Sequence, residues 1–197
     1  MNNGFYAMIS RMKLIERWAL MRNSITENIS EHSLEVSILS HALATISTVR
    51  LGKQVNAEKA ALIGIYHDAT EIITGDMPTP VKYYNDNIQS AFKAVEEAAA
   101  DKLLSMLPKD LRDSYLSLFY PQKEEEYLWK LVKAADKLSA LIKCIEERKA
   151  GNTEFLSAEA SISSILASMQ LEEVDIFMKD FLPSYNWTLD ELYGQEK

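Results

Sequence analysis

Turn-forming residues are scarce in this chain, and their scarcity constrains the fold more than any other feature of the sequence. The 197 residues include only 6 glycines and 5 prolines. One segment, 74–80, contains a glycine and two prolines, which stop any helix there. Elsewhere long stretches contain no residue that interrupts a helix. The sequence therefore predicts long helices and one conspicuous loop.

Apolar residues recur at the spacing of amphipathic helices, and no alternating pattern indicates a strand. Ser30 is the expected N-cap of the second helix, and Asn56 is the expected cap of the next one. The apolar side expected for the second helix consists of Leu34, Ile38, Leu39, Leu43 and Ile46. The stretch after Pro183 is expected to be irregular. The predicted helices are 5–15, 31–48, 57–72, 88–107, 111–119, 121–149, 154–168 and 171–181. The prediction is an all-α, compact bundle, and the length suits a single domain over residues 1–197.

Charge and composition exclude several classes of protein. A net charge of −8 argues against binding a nucleic acid polymer, because phosphate backbones need clustered lysine and arginine. The single cysteine, Cys144, cannot form an internal disulfide, which fits a reducing cytoplasm. Charged residues interrupt the first apolar stretch of the chain. No apolar stretch approaches the roughly 20 residues that a membrane span needs. We therefore expect a cytoplasmic protein that does not bind membranes.

The adjacent pair His67-Asp68 is the first candidate for chemistry. Glu71 follows His67 by four residues, which places both on one face if they share a helix. Imidazole nitrogens and carboxylate oxygens are ligands for divalent metals, and a further carboxylate can move protons for a metal-bound water. A single His-Asp pair is also a common surface or capping arrangement, so the pair alone does not identify a site.

Two further histidines and one aspartate bear on the same hypothesis. His32 lies in the first turn of its predicted helix, whereas His41 lies nine residues later, half a turn around that helix. The two histidines therefore cannot serve one site, and His41 is expected to be a packed or surface residue. Asp136 lies at the edge of the apolar stripe of the long helix. The periodicity alone is as consistent with a solvated carboxylate at this position as with a metal ligand.

The order of these residues, His32, then His67-Asp68, then Asp136, resembles the signature of the HD-domain metal-dependent phosphohydrolases. The chain is most similar to one branch, the YfbR family of bacterial 5′-deoxynucleotidases. The similarity covers nearly the whole chain and is least distinctive after Phe181. The segments that carry it are RMKLIERW at 11–18, LMRN at 20–23, TEN at 26–28, SEHSL at 30–34, YHDA at 66–69, TGD at 74–76, PTPVKY at 78–83 and AGN at 150–152.

This resemblance implies an all-helical HD fold, a homodimer, and hydrolysis of deoxyribonucleoside 5′-monophosphates to deoxynucleoside and phosphate. It implies one divalent cation per subunit, with Co²⁺ or Mn²⁺ as the expected metal. Nitrogen and oxygen ligands also bind Zn²⁺, Ni²⁺ or Fe²⁺. The implied metal ligands are His32, His67, Asp68 and Asp136. The implied catalytic residues are Glu71, Arg17 and Asp68. The residues implied to bind substrate are Arg17, Trp18, His32, Asp68, Asp76, Met77, Pro78, Thr79 and Asp136.

The implied roles suit the residue types. The guanidinium of Arg17 can fork two N–H groups onto phosphate oxygens. Trp18 would face the sugar as an apolar wall that leaves a 2′-hydroxyl without a partner, and Asp76 would bind the 3′-hydroxyl. Glu71 would transfer a proton, either with the attacking water or with the leaving 5′-oxygen. No residue clearly reads the base, so we expect little base preference.

Two other functions fit the residues less well. One is an HD-domain phosphohydrolase of another nucleotide, such as a nucleoside triphosphate or a cyclic or guanosine polyphosphate. Arg17 is the one strong cation inferred beside the metal, whereas a triphosphate would need more positive charge. The other is a non-catalytic helical bundle that binds a nucleotide or a partner helix. Such a module would bind no metal tightly.

Overall fold

The computed structural model describes residues 3–82 and 84–194, with the side chain of Thr79 outside that description. Across this range the regular secondary structure is helical, and the one strand-like pairing is an isolated bridge between Glu16 and Asn28. The all-α prediction is confirmed. The helices are α1 Phe5–Ile9, α2 Ile29–Leu51, α3 Ala57–Tyr66, α4 Glu71–Thr74, α5 Thr79–Lys82, α6 Asp86–Leu104, α7 Lys109–Phe119, α8 Glu126–Lys149, α9 Leu156–Ser168, α10 Glu172–Asp180 and α11 Leu189–Tyr193.

Helix α2 begins earlier than predicted, because Asn28 rather than Ser30 is its N-cap. The Asn28 side chain accepts hydrogen bonds from the backbone N–H groups of Ser30 and Glu31. The Glu31 carboxylate accepts one from the backbone N–H of Asn28 in return, which completes a capping box. The helix ends before Gly52, whose φ of 68° supplies a left-handed cap.

The apolar face predicted for α2 is partly confirmed. Leu39, Leu43 and Ile46 are buried, whereas Leu34 and Ile38 are 61% and 60% exposed. His41 is also exposed, as predicted. The buried face mixes small hydroxyl side chains with apolar ones, namely Ser33, Val36, Ser37, Leu39, Ser40, Leu43, Ala44, Ile46 and Ser47. The spacing of large apolar residues did not predict the buried serines of this face. Serine side chains are short enough to be buried where two helices pack closely.

Helix α3 crosses α2 at Gly64, where the two backbones nearly touch. A Cβ atom on Gly64 would lie 2.7 Å from the Cα atom of Ser37 and 2.9 Å from its backbone nitrogen, closer than real side chains approach. Only glycine fits at this crossing without moving a helix. The crossing thereby holds the last turn of α3 beside the first turns of α2.

Helix α3 is shorter than predicted. It is capped by Asn56, as expected, but it ends at Tyr66 instead of continuing to residue 72. Residues 67–70 form a turn, and α4 starts at Glu71. His67 and Glu71 therefore do not share a helix face, and that prediction is wrong.

Other predicted boundaries also shift. The stretch 5–15 divides into α1 and a 3₁₀ helix, Met12–Leu14. The helix predicted from Pro121 begins at Glu126, after a 3₁₀ helix at Lys123–Glu125. The tail expected to be irregular contains a 3₁₀ helix, Leu182–Asn186, followed by α11. Short 3₁₀ segments at helix starts are common and leave little trace in apolar spacing.

Helix α8 forms the centre of the core. Its buried side chains, among them Leu131, Leu138 and Ile142, pack against α2, α3 and α9. A second apolar cluster around Phe5 and Leu103 joins α1 to α6. Within the described residues, no helix combines the length and the apolarity that crossing a bilayer demands.

A buried ion pair on α8 anchors the long loop between Met12–Leu14 and α2. Glu147 is 2% exposed and Lys143 6% exposed, and Lys143 donates a hydrogen bond to Glu147. Glu147 also accepts hydrogen bonds from the backbone N–H groups of Ser24 and Ile25. Lys143 donates to the Ile25 carbonyl. A buried charge that lost its partner would cost several kcal/mol, so this network holds the loop firmly.

We expect Gly64→Ala to destabilise the protein. The added methyl group meets backbone atoms of α2, and overpacking of this kind costs about 1–3 kcal/mol, of which alanine's better helix propensity offsets about 1 kcal/mol. Chemical denaturation of the wild type and the variant measures the difference in unfolding free energy. Equal or greater stability of the variant would show that the two helices separate at no cost.

Candidate metal centre

Four side chains from three parts of the chain converge at the end of α3. His32 lies in the first turn of α2, His67 and Asp68 lie in the turn after α3, and Asp136 lies in the middle of α8. One nitrogen or oxygen atom of each lies within 4.8 Å of all the others. The structure thus brings together all four residues that the sequence predicts as metal ligands.

The distances within this cluster are short. Nε2 of His32 lies 3.1 Å from Oδ1 of Asp136 and 3.4 Å from Oδ2 of Asp68. Nε2 of His67 lies 3.0 Å from the same Asp68 oxygen. Two imidazole nitrogens and two carboxylates around one point form a ligand set that suits a divalent cation of intermediate softness.

His67 is oriented by the backbone that precedes it. Its Nδ1 donates a hydrogen bond to the carbonyl oxygen of Gly64 at 2.8 Å, which leaves Nε2 as the nitrogen with a free lone pair. Nε2 is buried, lies 3.0 Å from an Asp68 carboxylate oxygen, and has no hydrogen-bond partner among the described residues. Buried nitrogens are normally satisfied. An unpartnered nitrogen that faces two carboxylates fits a metal ligand, and the Gly64 carbonyl supplies the outer-shell bond that such histidines make.

The electrostatics of the cluster favour added positive charge. Burial raises the pKa of Asp68 and Asp136, but contacts with His32, joined by His67 for Asp68 and Lys137 for Asp136, hold both well below the ordinary range. Burial and Arg17 lower the pKa of His32, yet the nearby carboxylates of Asp136, Asp68 and Glu27 raise it to about 10. The carboxylates thus stay ionised and bind positive charge strongly, which a divalent cation supplies.

Arg17 and Trp18 lie beside the cluster and are held by Glu27. The NH1 group of Arg17 and the indole N–H of Trp18 each donate to the same carboxylate oxygen of Glu27, both at 3.0 Å. NH1 also lies 2.9 Å from Nδ1 of His32. Trp18 packs on Phe155 with ring centroids 5.3 Å apart. Its φ of 57° is unusual for a bulky residue, and strained backbone of this kind gathers at functional sites.

Glu71 approaches the cluster from the start of α4. One of its carboxylate oxygens is buried without a hydrogen-bond partner. Burial, with Asp68 and Asp76 nearby, raises the pKa of Glu71 to about 9, although Arg17 opposes the shift. The turn after α3 therefore places Glu71 near Asp68 by a different route from the shared helix face that the spacing suggested.

The loop after α4 faces Arg17 and Trp18. Gly75 has a φ of 74°, which permits the sharp change of direction there. Burial and Asp68 raise the pKa of Asp76, while Arg17 and a hydrogen bond from the backbone N–H of Trp18 oppose that shift. Met77 and Pro78 continue the loop and are half-buried. Thr79 begins α5, and its side chain lies outside the described residues.

Sequence reasoning missed three side chains that contact this centre: Glu27, Ser139 and Glu35. Ser139 lies 3.0 Å from Nδ1 of His32 and donates to Glu35 at 2.6 Å. Glu35 follows His32 by three residues and Ser139 follows Asp136 by three, so each shares a helix face with a candidate ligand. That spacing was a usable signal. Glu27 lies in one of the segments that carry the resemblance, but its spacing gave no signal, because its contacts join two ends of a loop.

Comparison with known proteins identifies the family. Residues 4–185 match the family described as 5′-deoxynucleotidase YfbR-like.

The chain belongs to the YfbR-like 5′-deoxynucleotidase family.

Curated relatives of this YfbR-like chain are close in sequence. A 5′-deoxynucleotidase from Citrobacter koseri is 50% identical over 95% of this chain and 94% of its own length. The 5′-deoxynucleotidase YfbR from Escherichia coli is 48% identical over the same shares of the two chains. The predicted family is therefore confirmed.

Solved structures support the fold of this YfbR-like chain. An HD-domain phosphohydrolase from Listeria innocua has a TM-score of 0.79 and 23% identity, covering 92% of this chain and 87% of its own. The cyanophage S-2L HD phosphohydrolase DatZ, solved with dA and one catalytic Zn²⁺ ion, has a TM-score of 0.64 and 18% identity, covering 92% of this chain and 96% of its own. These likenesses confirm the HD fold.

We expect Asp68→Ala to abolish tight metal binding and Glu71→Ala to preserve it. Asp68 directs a carboxylate oxygen into the cluster, whereas Glu71 is not among the four clustered residues. Both variants remove one carboxylate, so Glu71→Ala is the matched control. Elemental analysis after Zn²⁺ loading and dialysis gives the metal content. Stoichiometric Zn²⁺ in Asp68→Ala would contradict the assignment of that ligand.

We expect Glu71→Gln to stabilise the metal-free protein increasingly as the pH rises. The pKa of Glu71 is about 9 in the folded protein, compared with 4.5 for an unperturbed glutamate. Between these values the unfolded chain has lost a proton that the folded chain keeps, so the native residue lowers stability as the pH rises through this window. Glutamine does not ionise and removes this effect.

Thermal melts of the chelator-treated proteins check this expectation. The wild type and Glu71→Gln should melt together near pH 4.5 and diverge toward about pH 8, with the variant more stable. Glu97→Gln, which changes an exposed glutamate on α6, is the control and should follow the wild type throughout. A Glu71→Gln curve parallel to the wild type would show that Glu71 ionises normally in the folded protein.

Proposed function

We propose that this chain is a metal-dependent 5′-deoxynucleotidase that hydrolyses deoxyribonucleoside 5′-monophosphates to deoxynucleoside and phosphate. The observation that carries the proposal is the convergence of His32, His67, Asp68 and Asp136 on one point, with Arg17 beside them. The names of the curated relatives, 5′-deoxynucleotidases at about half identity over nearly the full length, support the substrate class.

The four clustered residues would hold one divalent cation per subunit. The unpartnered Nε2 of His67 and the low pKa values of Asp68 and Asp136 support this assignment. When bound, the cation lowers the pKa of a coordinated water and neutralises charge on the phosphoryl group. Co²⁺ and Mn²⁺ are the proposed activators, and the mixed nitrogen and oxygen donors also accommodate Zn²⁺, Ni²⁺ and Fe²⁺.

Arg17 would bind the phosphate. Its NH1 group is held by Glu27, which fixes the plane of the guanidinium next to the cluster. A guanidinium held in one plane can present two parallel N–H groups to phosphate oxygens. Burial lowers the pKa of Arg17, but Glu27, Asp136 and Asp68 outweigh that effect and raise it, so the side chain remains a cation.

Glu71 would transfer the proton of the hydrolysis reaction. Asp68 would act as a metal ligand and lies near Glu71. A pKa of about 9 means that Glu71 holds a proton at neutral pH. A dication in the cluster would favour the carboxylate form again, because it attracts negative charge as Arg17 does. The residue is thus poised to donate a proton to the leaving 5′-oxygen or to accept one from the attacking water.

The loop that faces Arg17 would bind the sugar. Asp76 is proposed to accept a hydrogen bond from the 3′-hydroxyl, with Met77, Pro78 and Thr79 forming the remainder of the wall. Trp18 would cover the 2′ position, since its indole N–H is already engaged by Glu27 and its ring offers no partner to a hydroxyl. Burying an unpaired 2′-hydroxyl costs about 1–3 kcal/mol, which disfavours ribonucleotides. Broad base tolerance is proposed.

We propose a homodimer. Its support is that α2 and α3 each carry two exposed apolar side chains at helical spacing, Leu34 and Ile38 on α2 and Leu62 and Ile65 on α3. Exposed apolar surface is typical of interfaces between subunits when it is contiguous. A single domain over residues 1–197 and a location in the cytoplasm stay predictions.

We expect phosphate release from all four deoxyribonucleoside 5′-monophosphates after the metal-free protein is loaded with Co²⁺ or Mn²⁺. Ribonucleoside 5′-monophosphates should be about tenfold to hundredfold slower in kcat/KM, because the 2′-hydroxyl finds no partner. Asp68→Ala, assayed identically, should be inactive and excludes a contaminating phosphatase. Preferred cleavage of deoxynucleoside triphosphates, or equal rates for ribose and deoxyribose, would contradict the proposed substrate.

A further inference from the structure

A chain of three side chains lies behind the candidate metal centre, on the side of His32 away from the clustered carboxylates. Nδ1 of His32 lies 3.0 Å from the hydroxyl oxygen of Ser139. That hydroxyl donates a hydrogen bond of 2.6 Å to the carboxylate of Glu35. His32 and Ser139 are completely buried, and Glu35 is half-buried.

The direction of the hydrogen bonds in this chain shows that Nδ1 of His32 carries a proton. A serine hydroxyl has a single proton, and that of Ser139 goes to the Glu35 carboxylate. The oxygen of Ser139 is then left as an acceptor, so Nδ1 of His32 must be the donor in their contact. The opposite nitrogen, Nε2, donates to the Asp136 carboxylate and faces Asp68, so a bound cation would replace the proton on Nε2 while Nδ1 keeps its own.

We propose that Ser139 and Glu35 are positioning residues, which fix the tautomer and the ring orientation of His32 so that Nε2 presents its lone pair to the metal. This inference rests on the metal centre proposed above. A histidine that ligates a metal through one nitrogen donates the N–H of the other to an outer-shell acceptor. For His67 that acceptor is the Gly64 carbonyl. For His32 it is the Ser139–Glu35 pair.

Arg17 makes this acceptor necessary. Its NH1 group lies 2.9 Å from Nδ1 of His32, and a guanidinium can only donate hydrogen bonds. Arg17 alone would therefore favour the tautomer in which Nδ1 accepts and Nε2 carries the proton. In that tautomer Nε2 has no lone pair to offer the metal. Glu27 lies 3.6 Å from the same nitrogen, too far for a hydrogen bond. Ser139 is the acceptor at hydrogen-bond distance among the described side chains.

Zinc titration of the metal-free protein tests the proposal without using activity. Ser139→Ala removes the acceptor and should weaken Zn²⁺ binding about tenfold to hundredfold, the range seen when outer-shell partners are lost. The matched control is Ser40→Ala, which removes a fully buried serine hydroxyl that has no hydrogen-bond partner in the described structure. Its Zn²⁺ affinity should equal that of the wild type.

Two further measurements separate positioning from a general loss of structure. Long-range ¹H–¹⁵N spectra of the Zn²⁺-loaded wild type should show a protonated Nδ1 and a metal-bound Nε2 for His32, and the Nδ1 proton should exchange faster in Ser139→Ala. Glu35→Gln keeps the size of the side chain but removes its charge. It should weaken Zn²⁺ binding by a smaller factor than Ser139→Ala, because a neutral acceptor holds the serine proton less strongly.

The outcomes distinguish this inference from the proposed function. A wild type that binds no Zn²⁺ would overturn the metal centre and the positioning role with it. A wild type that binds Zn²⁺ with the same affinity as Ser139→Ala would overturn the positioning role alone. Protonated Nε2 in the metal-loaded wild type would do so as well. Selective weakening in Ser139→Ala, with Ser40→Ala unchanged, supports the inference.

Discussion

The close crossing of α2 and α3 is the contact on which the rest of the centre depends. At this point the backbone of Gly64 lies so near Ser37 that no side chain fits between them. Two candidate ligands flank the crossing in the chain, His32 before Ser37 on α2 and His67 after Gly64 in the turn that follows α3. The carbonyl of the same glycine orients His67. One backbone contact therefore determines both how α2 packs on α3 and where two of the candidate ligands lie.

Buried charge is compensated locally throughout the structure. Two aspartates are balanced by His32 within the cluster, and Arg17 is balanced by Glu27 at its edge. A separate pair, Lys143 and Glu147, fastens the loop that carries Arg17 to α8, the helix that also supplies Asp136. The candidate phosphate-binding cation and a candidate metal ligand thus share one rigid support. Rigid support of this kind limits the ordering cost of binding substrate.

The fold class and the four clustered residues could be predicted from the sequence, but for different reasons. Scarce turn residues and helical spacing indicate the all-α fold directly. Asp136 is selected only by resemblance, because its place at the edge of an apolar stripe is equally typical of a surface carboxylate.

The remaining features could not be predicted from spacing. Glu71 was predicted to lie near His67 on a shared helix, but that helix ends at Tyr66. The buried face of α2 was predicted only at Leu39, Leu43 and Ile46, because its serines do not register in an apolar pattern. Glu27 was missed because its hydrogen bonds join residues ten apart or fewer across a loop, where no periodicity exists.

Glu27 has a consequence for how the site can diversify. A single oxygen of this carboxylate receives both the guanidinium of Arg17 and the indole N–H of Trp18. In the proposed site, the first residue grips the phosphate and the second screens the sugar. Because both depend on the same atom, a substitution that reorients Trp18 toward a different sugar also disturbs Arg17. Selectivity for the sugar and affinity for the phosphate are therefore coupled traits, and new sugar specificities in this scaffold are expected to arise through correlated changes at several positions rather than through one.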